Sequence, residues 1–233
     1  PGAMEQSVFR LFERAGRDDP GRAIAGVPIA SLMLPTDIED AWLLPASTAL
    51  ATVDRMLGTR EGMGRVLARA FRTCAGRFDH VLIDCPPVFG ILMLNAMAAA
   101  DSLIVPVQTE FLALKGLERM LHTLVMVNRA RLAPLEPLIV PTMYDQRTRA
   151  SRESLLYLRQ HHADRLWQGV IPVDTRFREA SRIGRPLTLM DGNARGAVAY
   201  SGLVSYLLDG DAAGSAPMLP IAGHDVAAPA RQA

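Results

Sequence analysis

The chain has 233 residues, 49% of them apolar and 21% charged, with a formal net charge of +1. That is enough for one sizeable buried core, and it gives no bulk attraction to nucleic acid or acidic partners, so any such binding must come from a local patch. Cys74 and Cys85 alone make neither a disulfide framework nor a metal quartet, and no apolar run reaches the roughly 18 residues of a membrane span, so a soluble, cytoplasmic protein without a signal peptide is expected.

An amphipathic helix opens the chain, with Val8, Phe9, Leu11 and Phe12 on its apolar face. Residues 18–26 are rich in Gly and Asp and read as a loop. The apolar runs 29–34 and 41–44, each ended by proline, are candidate strands. A helix is expected over 61–74, then a strand over 80–84. A further strand over 102–107 leads into a long helix over 111–131. Another strand over 138–143 precedes a helix over 149–162, and a strand over 167–171 precedes short helix 177–183. A last helix spans 194–208. Strands alternating with helices of this length predict an α/β fold with a parallel sheet covered on both faces, whose sites lie at the carboxyl ends of the strands. Residues 1–210 are read as one domain and 211–233, rich in Ala, Pro and Gly, as a flexible tail.

The sharpest local signal is Val81-Leu-Ile-Asp84-Cys-Pro-Pro87. An apolar strand ending in a carboxylate places Asp84 at the carboxyl edge of the sheet. There it can hold a Mg²⁺-bound water beside a triphosphate, or simply cap the following turn. The apolar stripe of the long helix, Phe111, Leu114, Leu117, Leu121, Leu124 and Val125, reads as core. His161 and His162 read as a helix terminus and His122 as surface or core, since no ligand constellation accompanies any of them.

The run 78–87 closely resembles the corresponding segment of the ParA/MinD family of partition ATPases. The likeness continues through Leu94-Asn-Ala-Met-Ala-Ala-Ala-Asp101, Val105-Pro-Val-Gln-Thr-Glu110, Ala113-Leu-Lys-Gly-Leu117, Pro141-Thr-Met-Tyr-Asp-Gln-Arg-Thr148, Ile171-Pro172 and Arg195-Gly-Ala-Val-Ala-Tyr200, with Leu43-Leu-Pro-Ala-Ser47 upstream. Gln108–Arg119 and Pro172-Val-Asp-Thr-Arg-Phe-Arg178 look like the ParA homologues of chemotaxis gene clusters (the ParC type). The resemblance implies a doubly wound, mostly parallel sheet of the P-loop NTPase type (SIMIBI, ParA-like), ATP and Mg²⁺ as cofactors, and an ATP-dependent homodimer. It also implies non-specific DNA binding, a ParB-like or polar chemotaxis partner, and association with nucleoid or pole; a MinD-like association with membrane is not expected, because the tail has no basic amphipathic helix. Position by position, Asp84 matches the carboxylate that organises Mg²⁺ and water. Met143, Pro172, Val173 and Asp174 match adenine-side positions, although an ordinary core methionine is an equal reading of Met143. Arg147 and Arg176 match arginines that bind DNA backbone, and Arg149, Arg152, Arg178 and Arg182 would widen that patch. The alternative is a salt-bridged helix surface, with Arg152 beside Glu153 and Arg178 beside Glu179.

One family feature is missing. A phosphate loop needs a Gly-rich turn and a lysine, yet no G-x-x-x-x-G-K-[S/T] occurs. Lys115 is the only lysine, every other one of the 25 basic residues being an arginine. The first strand, phosphate loop, first helix and second strand of the family fold are therefore expected to be lost, by truncation rather than degeneration, and this polypeptide is expected to bind ATP poorly and not to hydrolyse it. A nucleotide-independent scaffold of the same fold is the alternative.

Overall fold

A computed structural model of the chain describes residues 6–17, 28–57, 61–86 and 88–209. The loop expected over 18–26 and the tail over 211–233 lie outside the described residues. The chain divides into two compact units, Pro1–Leu103 with Met120–Glu136 and Ile104–Arg119 with Pro137–Ala233.

In the first unit, α1 (Phe9–Arg17) buries Leu11, Phe12 and Ala15, as its apolar spacing predicts. The run 29–34 does not form the expected strand. Ile29–Leu32 is a 3₁₀ turn, begun at Pro28, whose carbonyl accepts both the N–H and the hydroxyl of Ser31. Only β1 (Leu34–Pro35) is extended, pairing antiparallel with β2 (Trp42–Leu43). The helices α2 (Leu50–Leu57), α3 (Val66–Arg72) and α4 (Ile91–Ala99) complete this unit with a 3₁₀ turn at Met63–Arg65. Ile29, Leu32, Val53, Met63, Val66, Leu67, Ala70 and Ile91 pack with the α1 residues into one core.

Among the described residues of this unit, Ser7 and one amide side chain are the buried polar groups. Asn95 on α4 is fully buried. Its Oδ1 accepts the Leu67 N–H (3.1 Å), and its Nδ2 donates to the carbonyls of Met63 (2.7 Å) and Ile91 (2.8 Å). Leu67 carries one of the first four N–H groups of α3, which have no partner inside their helix. Arg65, at the N-cap, offers no side-chain bond. Asn95 therefore caps α3 from 28 residues further along the chain.

The expected strand over 80–84 is absent. Residues 79–86 are irregular, with no backbone hydrogen bond among the described residues. Val81 is exposed, and Leu82 is 90% exposed. A strand is made by its neighbour, and none of the described residues lies alongside this one.

In the second unit, β3 (Leu103–Gln108), helix α5 (Phe111–Asn128) and β4 (Pro137–Thr142) form a strand–helix–strand crossover. Leu103 and the last part of α5 belong to the first unit. The Thr109 N–H donates to the Thr142 carbonyl (3.0 Å), so the carboxyl ends of the two strands lie side by side in a parallel pair. The helix α6 (Arg149–His161) follows, N-capped by Thr148, which accepts the Ser151 N–H (3.3 Å). The strand expected over 167–171 shrinks to two isolated parallel bridges, Ile139 with Leu166 and Tyr144 with Pro172. The Trp167 ring folds over Gly169, where a Cβ would lie 2.4 Å from it, and this turn breaks the ladder. Helices α7 (Arg176–Ile183), α8 (Leu187–Met190) and α9 (Arg195–Asp209) close the unit. Val140, Trp167, Ile171 and Leu203 make one core cluster, and Ala180, Leu187, Ala194 and Ala197 another.

Candidate functional site

The carboxyl end of β4 is where the second unit gathers its polar groups. Met143 follows directly, in the left-handed region (φ 53°). This bend carries Tyr144 to the next segment, where its N–H donates to Ile171 O (3.0 Å) and its carbonyl accepts the Val173 N–H (3.0 Å). A buried pair of hydroxyls, Thr109 and Ser151, supports the bend from below. The Ser151 Oγ also accepts the Asp145 N–H (3.1 Å), so the start of α6 is tied to the strand end.

Two aspartates then clasp two arginines in the same way. Asp145 Oδ1 accepts the backbone N–H (3.0 Å) and Nε (2.9 Å) of Arg147, and its Oδ2 accepts Nη2 (2.7 Å). Asp174 Oδ1 accepts the backbone N–H (3.1 Å) and Nε (3.2 Å) of Arg176, and its Oδ2 accepts Nη2 (3.3 Å). The spacing is two residues in each case: the aspartate forms an Asx-type turn whose second residue folds its guanidinium back onto the same carboxylate. The bonds from Arg147 hold the Asp145 carboxyl down to about 2. Burial pushes Asp174 up, but its bonds from Arg176 and from the Gly196 N–H (3.1 Å) leave it below the usual carboxylate range. Arg176 also donates through Nη1 to Asp191, and Arg195 reaches the Val173 carbonyl (3.4 Å).

The structure therefore brings Met143, Pro172, Val173, Asp174 and Arg176 into one neighbourhood. Arg147 joins them through Asp145, which also feels the charge of Arg195. Pro172 is buried, Val173 is half-buried and Met143 is half exposed, so Met143 is not a core methionine. Asp84 stands in the first unit, exposed, without a hydrogen bond or ion pair among the described residues. It does not end a strand, contrary to the expectation for it. Its neighbour Cys85 is pushed up by burial and then by the Asp84 charge, which makes it a poor nucleophile. The wider arginine patch is also arranged differently from expectation. Glu153 pairs with Arg149, four residues away (2.7 Å), and Arg152 bonds the Gln146 carbonyl, because adjacent helical residues do not face each other. Asp191 and Ser151 were not singled out in the sequence, and Thr109, Arg195 and Gly196 entered only as members of the runs that carry the resemblance. Only the Asp-x-Arg spacing was visible there as a signal.

A family profile described as "AAA domain" matches residues 4–136, more than half of the chain. The chromosome partitioning protein ParA of Myxococcus xanthus is 31% identical over 185 residues, covering 79% of this chain and 65% of the relative. The chain belongs to the ParA/MinD family of partition ATPases. It spans just under two thirds of the length of that ParA relative. Among solved structures, cobyrinic acid a,c-diamide synthase of Mycobacterium smegmatis, with a bound ATP analogue and magnesium, superposes with a TM-score of 0.65 at 30% identity, covering 88% of this chain and 73% of the synthase. McdA of Cyanothece gives 0.73 at 16% identity over 87% of this chain and 77% of McdA, a likeness of fold. The fold is thus the α/β P-loop NTPase fold of the ParA group, as the resemblance implied, and its α/β class is the one that the alternation of elements predicted.

Measured against a ParA-type nucleotide site, the residues present are incomplete. Mg²⁺ takes one or two carboxylates together with phosphate oxygens and water, and Asp84 is one free carboxylate. No group of three or more His, Cys, Asp or Glu among the described residues could hold a metal. The sole lysine, Lys115, is bound to Glu118 on α5 (3.0 Å) and is no phosphate ligand there. Without a phosphate cradle, no hydrolytic step is derived from these residues. No helix among the described residues is long and apolar enough to cross a membrane.

Proposed function

We propose that this chain is the greater part of a ParA-type ATPase that positions a cellular cargo. In the intact protein ATP and Mg²⁺ drive homodimerisation, and the dimer engages DNA without sequence preference and a ParB-like or polar partner. The cargo of this reading is a chemoreceptor array or a replicon. Asp84 is its carboxylate toward Mg²⁺, Met143 with Pro172, Val173 and Asp174 lines the adenine side, and Arg147 and Arg176 meet phosphate of the DNA backbone. The observation that carries the reading is the ordered family match over residues 4–136 together with the clustering of the adenine-side and arginine positions at one strand end. The unpaired run at 80–84 supports the same view, because the family fold, as the resemblance implies, places its first strand centrally in the sheet, and the phosphate loop follows it. On this reading the 233-residue polypeptide is a truncated form and a non-hydrolysing one.

Calorimetric titration of the 233-residue chain with Mg·ATP tests the second part: no binding in the micromolar range is expected, and micromolar affinity refutes it. With the upstream segment restored, Asp84→Ala is expected to abolish turnover. Unchanged ATPase activity refutes the role of Asp84.

A nucleotide-independent scaffold is the competing reading, and the commitment of Lys115 to Glu118 favours it for the 233-residue form alone. Nucleotide-dependent DNA binding by the restored protein separates the two.

A further inference from the structure

The two Asp-x-Arg clasps are alike in geometry but differ in what they leave open. Each uses the Nε/Nη2 edge of its guanidinium, the edge that would also bind a phosphate bidentately. In Arg147 the remaining nitrogen, Nη1, has no partner among the described residues, and the side chain is 83% exposed. In Arg176 that same nitrogen donates to Asp191, and the side chain is 41% exposed. Asp191 is itself held in place, because its other oxygen accepts the Asn193 N–H (3.1 Å) just beyond α8. The Asp174 carboxylate is sunk beneath the pair with 4% of its side chain exposed, so it cannot swing away.

We propose that Asp191 masks Arg176 from nucleic-acid phosphate and so decides how many arginines this site offers to DNA. The proposal rests on the reading that Arg147 and Arg176 meet the DNA backbone. Its physical basis is charge and donor count. The Asp145–Arg147 pair is neutral with a donor free, whereas Asp174, Arg176 and Asp191 together carry one net negative charge, and Nε, Nη1 and Nη2 of Arg176 all have carboxylate partners. A phosphate approaching Arg147 finds an open N–H. One approaching Arg176 meets only the second N–H of Nη1 and of Nη2, each on a nitrogen already bonded to a carboxylate, and is repelled by the surplus charge. Arg147 is the ready contact, and Arg176 becomes one only when Asp191 lets go.

The test uses the protein with its upstream segment restored and Mg·ATP present, a fluorescent 30-base-pair duplex without a designed site, and anisotropy titrations at several salt concentrations. Asp191→Asn keeps the oxygen that accepts the Asn193 N–H and removes the charge. It is expected to tighten binding about eightfold at 0.1 M salt and to steepen the salt dependence by about one, the signature of one additional phosphate contact. In an Arg176→Ala background the same substitution is expected to leave the salt slope where it was, since no guanidinium remains to be released. A slope that steepens equally with and without Arg176 overturns the mask, because Asp191 then acts only through its field. If the native chain binds DNA, Arg147→Ala weakens it and Asp191→Asn changes nothing, the mask fails while the DNA reading stands. If no variant binds duplex, both fail together. Melting curves for each variant, and Asp191→Glu as a charge-preserving control expected to behave as native, keep a folding defect from imitating either result.

Discussion

Asn95 gives the clearest prediction about what holds the first unit together. Replacing it with alanine removes three hydrogen bonds. The Ile91 carbonyl is a helical acceptor and loses little. The Leu67 N–H and the Met63 carbonyl lose the Asn95 side chain as their partner. An orphaned buried backbone group costs about 1–3 kcal/mol, the lost α3 cap about 1 kcal/mol of the same total, and the vacated amide leaves a small cavity besides. The sum is about 4 kcal/mol, a large share of the roughly 5–15 kcal/mol that a domain has. Urea denaturation followed by circular dichroism reads it directly: the midpoint of the first unit should fall at unchanged slope. A loss below about 1 kcal/mol, the range of an ordinary surface change, would refute the claim that Asn95 caps α3 across the core. Asn95→Asp is a companion test. It keeps the acceptor for Leu67 but turns a donor into a charge facing the Met63 carbonyl, so it is expected to destabilise rather than rescue, and increasingly so as the pH rises through the carboxylate range.

Three more outcomes follow from the same structure. Gly196→Ala would place a Cβ 2.3 Å from the Phe177 ring, which packs edge-on against Tyr200, and should cost about 1–3 kcal/mol by overpacking, visible as a lowered melting temperature. His162 is pushed down first by burial and then by the charge of His161, and its Nε2 is buried without a partner. Its folded value lies below the ordinary 6.5, so the unfolded chain takes up the proton first: stability is full above that pH and is lost as the pH falls from 6.5 through the lower folded value. His162→Leu should flatten that acid limb, and an unchanged pH profile of the denaturation midpoint would count against it. Leu82→Lys should leave the unfolding free energy within about 0.5 kcal/mol of native, because the side chain is exposed, yet reduce light scattering at high protein concentration.

Much of the second unit was legible. The apolar runs at 102–107 and 138–143 flank a helix with core spacing, and β3, α5 and β4 form there. Likewise the helix expected over 149–162 forms as α6. What escaped the sequence depends on contacts distant along the chain. Nothing local distinguishes Val81-Leu82-Ile83 from a paired strand, since pairing belongs to the neighbour and not to the run. Gly169 looks like any strand glycine until the Trp167 ring is seen folded over it. Asn95 sits in a run of alanines and methionines, and its partners are 28 and 32 residues away. In the salt-bridged alternative to the arginine patch, the pairing differs for a local reason: adjacency in sequence suggested Arg152 with Glu153, while helical geometry selects Arg149. At Arg147 and Arg176 the carboxylate two residues back was in plain view, but only the folded turn reveals that it occupies the guanidinium.

The residues that identify this chain most sharply are also those it secures least. A run of Val, Leu and Ile with open amides and carbonyls, presented to water, is a docking template for any extended polypeptide that reaches it, other copies of the same chain included. Yield, storage lifetime and dependence on chaperones will then follow protein concentration and the accessibility of residues 79–86, whatever the core is worth. A purified sample that clouds on concentration while its spectrum still reports a folded protein would be displaying this segment, and a short strand-forming peptide added in excess should clear it.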